Sequence, residues 1–107
     1  MSSPFAASHI ASAAVTADVN ALVAADKGLV LYGFSAHESA GVAAAAHFHI
    51  MHGATAAGGT QVVSVRLAAS ADQIAWFGDR GLACPNGISI DMVAGEIDIV
   101  VYYKVFD

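Results

Sequence analysis

From Gly87 onward the chain alternates, with Ile88, Ile90 and Met92 on one parity and Ser89 and Asp91 on the other. This two-residue period marks a half-buried strand. After Ala94-Gly95, which reads as a turn, Ile97, Ile99, Val101, Tyr103 and Val105 share one face and Glu96, Asp98, Tyr102 and Lys104 the other. Two such runs around a Gly turn predict a β-hairpin over Ile88 to Phe106, with Ile90, Ile97, Ile99 and Val101 in the core. The long second run has the length to pair on both sides. Tyr102 and Tyr103 point to opposite faces, so one of them faces the core.

Leu29 to Phe34, which holds Tyr32 and Phe34, and Gln61 to Leu67, where Val63, Val65 and Leu67 alternate with Ser64 and Arg66, also read as strands. Val42 to His52 carries competing signals. Its Ala43 to Ala46 run favours helix, but Phe48 and Ile50 alternate with His47, His49 and Met51 and Gly53 follows at once, so strand is the reading adopted. Gly53 to Gly59 then connects two strands. Ile10 to Val15 and Gln73 to Phe77 read as short strands. Ala17 to Lys27 leaves two readings open: a strand, or a short helix with Val19, Leu22 and Val23 at helical spacing, Thr16 as its cap and Gly28 as its end. Seven or eight strands with turns between them predict an all-β, single-domain, two-sheet β-sandwich of jelly-roll type over residues 1–107, with 1–15 as a candidate extended N-terminal arm.

Composition adds a second expectation. The chain of 107 residues is 57% apolar and 12% charged, against roughly 45–50% and about 25% in ordinary domains. A domain this small has much surface for its volume, so part of that surface has to be weakly polar, and a partner is the simplest cover. With a net charge of −5 and only Lys27, Arg66, Arg80 and Lys104 as cations, nucleic acid is not an expected ligand. No apolar run approaches the roughly 18 residues of a membrane span and the first residues lack the positive start of a secretory signal, so a soluble, cytosolically made chain is expected. Cys84 stands alone, which excludes an intrachain disulfide and reads as a small buried hydrophobe.

The candidate chemistry is thin. His47 and His49, two apart on a strand, project to the same face and are the candidate metal ligands. With Gly41 before them they resemble the first motif of the cupins, and Pro85-Asn86-Gly87 resembles the start of the second. The positions of the remaining ligands, however, hold Gly53 or Ala54 and Ile90. No bound metal and no cofactor is therefore expected. The carboxylates Asp18, Asp26, Glu38, Asp72, Asp79, Asp91, Glu96, Asp98 and Asp107 are scattered, and most are expected in solvent or in turns. Glu96 and Asp98 share a strand face and could perform acid–base work or hold Ca²⁺, but read better as a charged outer face. Neither a Gly-x-Ser-x-Gly elbow nor a phosphate-binding Gly loop is present, so no catalytic residue is assigned. Trp76-Phe77-Gly78 joins an aromatic pair to a turn; it suits core packing, or stacking on a sugar if exposed.

The order of several short motifs carries a resemblance. Leu31-Tyr32-Gly33-Phe34-Ser35, then Glu38-Ser39-Ala40-Gly41, the Gly-rich loop, Trp76-Phe77-Gly78 with Gly81-Leu82, Asn86-Gly87-Ile88 and the closing Val101-Tyr102-Tyr103 together resemble small virion proteins of tailed bacteriophages. The match spans Leu29 to Val105. One departure is His37, where the family has a basic residue before the Glu. The resemblance implies a β-sandwich or jelly roll on the capsid exterior, made in the host cytoplasm and joined to the major capsid protein. It implies a decoration or cement protein, often a trimer, or the base of a head fibre, and it brings no catalytic residues. Two other readings are a carbohydrate-binding β-sandwich, which needs Trp76 and a Tyr exposed on one face, and a cupin-like metal-binding protein.

Overall fold

A computed structural model describes residues 9–24, 28–78 and 80–105. Among the described residues there are nine strands and no helix: β1 (His9–Val15), β2 (Val19–Val23), β3 (Leu29–Glu38), β4 (Ala46–His52), β5 (Thr60–Leu67), β6 (Asp72–Trp76), β7 (Leu82–Ala83), β8 (Ile88–Ala94) and β9 (Ile97–Val105). The first sheet has the order β1-β9-β3-β6, with β7 also on β3, and the second has β2-β8-β4-β5. All pairings are antiparallel. Apart from the two-residue β7, the pairs β1·β9, β2·β8, β3·β6 and β4·β5 nest inside one another, which is the jelly-roll arrangement. The expected all-β sandwich is what forms, with β7 as the strand beyond the expected count.

The hairpin expected over Ile88 to Phe106 does not form. β8 pairs with β2 and β4, β9 pairs with β1 and β3, and the two strands lie in different sheets. Alternation cannot distinguish these outcomes, because a strand crossing to the facing sheet turns the same parity inward as one that folds back beside its neighbour. Gly95 makes the crossing: its φ is +84°, and a Cβ there would sit 2.8 Å from the Ala45 carbonyl oxygen and 2.9 Å from Ala46 Cα. Close passage of this turn under the β4 start leaves no room for a side chain. The core assignment itself holds, since Ile90, Ile97, Ile99 and Val101 are all buried, and β8 and β9 are each interior strands.

In the open segment, Val19–Val23 is a strand, while residues 25–27 lie outside the described residues. Tertiary pairing with β8 decides the matter over the local helical spacing. The Ala43 to Ala45 part of the Val42 to His52 reading is exposed loop, and strand starts only at Ala46. Of the candidate arm, residues 9–15 are an edge strand fully registered on β9, and residues 1–8 lie outside the described residues. Between the sheets, Phe34 of β3 and Phe48 of β4 meet edge to face with centroids 6.2 Å apart, and Phe77 tilts against Phe34 at 6.1 Å. Around them one cluster of Leu, Ile and Val side chains from both sheets closes the core, which is the main favourable term for the fold.

Candidate functional site

Each sheet has an outward face, and the two differ in chemistry. On the first sheet the register lines up three outward rows across β1, β9, β3 and β6. They are Ile10, Tyr102, Gly33 and Trp76; then Ser12, Val100, Ser35 and Ile74; then Ala14, Asp98, His37 and Asp72. A register shift between Leu31 and Gly33 inserts Tyr32 as an extra residue. That bulge turns Tyr32 to the outside, where it is buried beneath a stack on Trp76 with centroids 5.8 Å apart and planes at 17°. Trp76 lies over Gly33, whose added Cβ would fall 2.4 Å from the Ala75 carbonyl oxygen and 2.7 Å from Trp76 Cε3. Tyr102 flanks Trp76 at 6.2 Å and its hydroxyl reaches Ser35 Oγ at 3.4 Å.

Two large aliphatic side chains stand out of this face, Ile10 at 67% and Ile74 at 77% exposure. Within these three rows charge is confined to the last, where His37 Nδ1 pairs with Asp72 Oδ1 and Asp98 stands on the opposite neighbour of His37, and Lys104 follows Tyr102 on the same parity of β9 at the other end. The middle of the face is thus aliphatic and aromatic, and its charges lie toward the two ends. Such a surface suits contact with another broad surface better than enclosure of a small reactant.

The second sheet carries the two candidate ligands. His47 and His49 project outward from β4, with centroids 4.9 Å apart and planes at 85°. Phe48 and Ile50, on the other parity, fill the core. His47 Nε2 lies 3.0 Å from Ser64 Oγ, and His49 Nδ1 lies 3.0 Å from Asp91 Oδ2. Desolvation, with Arg66 and His49 adding and Asp91 opposing, holds the His47 imidazole below its usual range. A Ser–His–carboxylate relay needs the carboxylate on the His that faces the serine; here Asp91 is bound to the other imidazole. No third His, Cys, Asp or Glu completes a metal group among the described residues. The two candidate ligands are brought together without the remaining ligands a stable site requires.

Two side chains that the sequence left in the background prove structural. Glu38 is buried at 3% exposure, unlike the carboxylates expected in solvent. Its Oε1 accepts from the Ser70 N–H and its Oε2 from the Ala40 N–H, both at 2.7 Å. Those bonds, from Ser70 first and then Ala40, hold its carboxyl below the usual range against the opposing effect of burial. Ser89 is fully buried; its hydroxyl donates to the Gly53 carbonyl at 2.8 Å and accepts from the Ala21 N–H at 2.9 Å. Ser70 and Ala21 are also the two described non-glycine residues with positive φ, at 61° and 51°. Each buried polar group therefore anchors the backbone N–H of a residue in a conformation that costs roughly 1–2 kcal/mol. The Glu-Ser-Ala-Gly motif was the available signal for Glu38; Ser89 had none, because it sits in an ordinary alternating strand.

Of the other sequence candidates, Asp98 is exposed on its strand, whereas Glu96 precedes that strand and is only half-buried. Asp26, Asp79 and Asp107 lie outside the described residues. Phe77 and Tyr103 pack on the core and Trp76 and Tyr102 face outward. Cys84 is buried, and burial pushes its thiol up to about 11. Compared with protein-family models, curated proteins and solved structures, the chain matches none.

Proposed function

We propose that the chain is a structural protein of a tailed-bacteriophage virion, attached to the capsid exterior as a decoration or cement protein. The observation that carries this reading is the convergence of the scattered motifs. Tyr32 and Gly33 pack with Trp76, the Phe77 N–H donates to the Tyr32 carbonyl at 2.8 Å, and Tyr102 joins Trp76 and Ser35. Glu38 ties the following turn to Ser70. Farther away, the Gly53 N–H donates to the Gly87 carbonyl and the Asn86 N–H to His52 Nε2. Residues that are separate in sequence but build the same contacts are what a shared fold would keep in order. The motifs are framework chemistry, in line with a protein that works by presenting surfaces. The apolar middle of the first sheet's outer face supplies such a surface.

The test is whether the protein travels with particles. Phage particles purified by density gradient from the source culture, assayed by mass spectrometry and immunogold labelling, are expected to carry it on the head in many copies. Its absence from particles while it is abundant in the lysate refutes the reading. Trp76 and Tyr102, partly exposed on one face, favour a second reading as a carbohydrate-binding module. A glycan array decides it: saturable binding lost in Trp76→Ala supports it, and a blank array removes it.

A further inference from the structure

We propose that β1 is a homodimerisation edge, pairing antiparallel with β1 of a second copy about Ser12 and joining the two first sheets into one. β1 is the terminal strand of its sheet, and among the described residues its outer edge takes no pairing strand. Antiparallel pairing to β9 uses alternate backbone groups, which leaves the intervening N–H and C=O groups directed away from the sheet. Natural proteins blunt such an edge with charge, bulges or shortness.

The other edges carry these devices. β2 is interrupted by the register shift between Val19 and Val23 and by Ala21 at φ 51°. β5 carries the exposed Arg66. β6 is five residues long and begins with exposed Asp72, and β7 has only two residues. By contrast, β1 runs seven residues as His-Ile-Ala-Ser-Ala-Ala-Val, without Lys, Arg, Asp, Glu or Pro and without a break in its register on β9.

Its own sequence fits a second copy. With Ser12 opposite Ser12, Ala11 faces the partner's Ala13 and Ile10 faces the partner's Ala14. Ala11 and Ala13 turn toward the core and are only half-buried, so the pairing sets these core-facing methyl groups of the two copies side by side. Ile10, at 67% exposure, meets a methyl group, and no like charges oppose each other. The symmetry is isologous and closes at two copies, whereas the virion resemblance suggests three. The shortage of charge in the whole chain points the same way, and the inference does not depend on the capsid reading.

Sedimentation and light scattering of the full chain at micromolar concentration are expected to give twice the 10.8 kDa monomer mass. S12C is expected to form a disulfide-linked dimer on mild oxidation, because directly opposed Cα atoms in an antiparallel pair lie about 4.5–5.5 Å apart, within disulfide reach. A14C is expected not to link, since four residues of offset place its copies roughly 13 Å apart. Cys84, at 1% exposure, stays out of the reaction. S12K, checked for native circular dichroism, is expected to be a monomer at the same concentration. A monomeric or trimeric wild type, a dimer that survives S12K, or A14C linking as readily as S12C overturns the proposal.

Discussion

Replacing Ile99 by Ala tests the assignment of the two faces of β9. Ile99 is 1% exposed, and its cross-strand neighbours are Ala13 of β1 and Ala36 of β3. The substitution removes three carbon groups at about 0.8 kcal/mol each, or roughly 2.4 kcal/mol of transfer energy. The flanking methyl groups sit in paired strands and are too short to fill the space, so a cavity term adds to this and the total falls at about 3–5 kcal/mol. That is a large part of the roughly 5–15 kcal/mol that holds a typical domain folded. Urea denaturation followed by fluorescence of Trp76, the only tryptophan, is expected to show the midpoint lowered by about 1 M or more, given a slope of about 1–3 kcal/mol per molar. Asp98→Ala and Glu96→Ala, by comparison, are expected to change stability by less than about 0.5 kcal/mol. A neutral Ile99→Ala together with a severely destabilising Asp98→Ala would mean that the faces are reversed.

Three further outcomes follow from buried or crowded positions. Cys84, with its thiol near 11 and its side chain buried, is expected to resist thiol reagents at pH 8 in the native protein and to react fully in denaturant; rapid native labelling contradicts that. Because the Glu38 carboxyl in the folded chain lies below its ordinary value of 4.5, its contribution to stability is complete above that value and disappears as pH falls through the lower folded one. Glu38→Gln is therefore expected to lower the denaturation midpoint at neutral pH and to flatten its fall as the pH drops below 4.5, and an unchanged acid profile counts against the buried acceptor. Gly33→Ala, whose Cβ would sit 2.4 Å from the Ala75 carbonyl oxygen, is expected to cost about 1–3 kcal/mol by overpacking and to alter the near-UV circular dichroism of Trp76; a silent substitution refutes the close packing over Gly33.

Alternation was enough to assign the strand and the buried side of Ile97 to Val101, where side-chain parity and burial coincide, while in Ile88 to Ile90 it gave the strand and the buried Ile side chains but not the burial of Ser89. It also placed His47 and His49 on one outward face. Which sheet each strand joins was decided elsewhere: Ala94-Gly95 looks the same in a hairpin and in a crossing, and the choice rests on β8 finding β2 and β4 while β9 finds β1 and β3. Long-range pairing likewise turned Val19–Val23 into strand against its helical spacing. The burial of Glu38 was hidden for a related reason. A carboxylate enters the interior only where backbone N–H groups meet it, and those of Ser70 and Ala40 are brought to it by turns whose geometry the local sequence does not state. Residue periodicity thus determined which apolar side chains of the alternating strands avoid water, while the tertiary structure alone decided which of them meet and which polar groups join them, since contacts across 30 to 70 residues depend on the path of the whole chain.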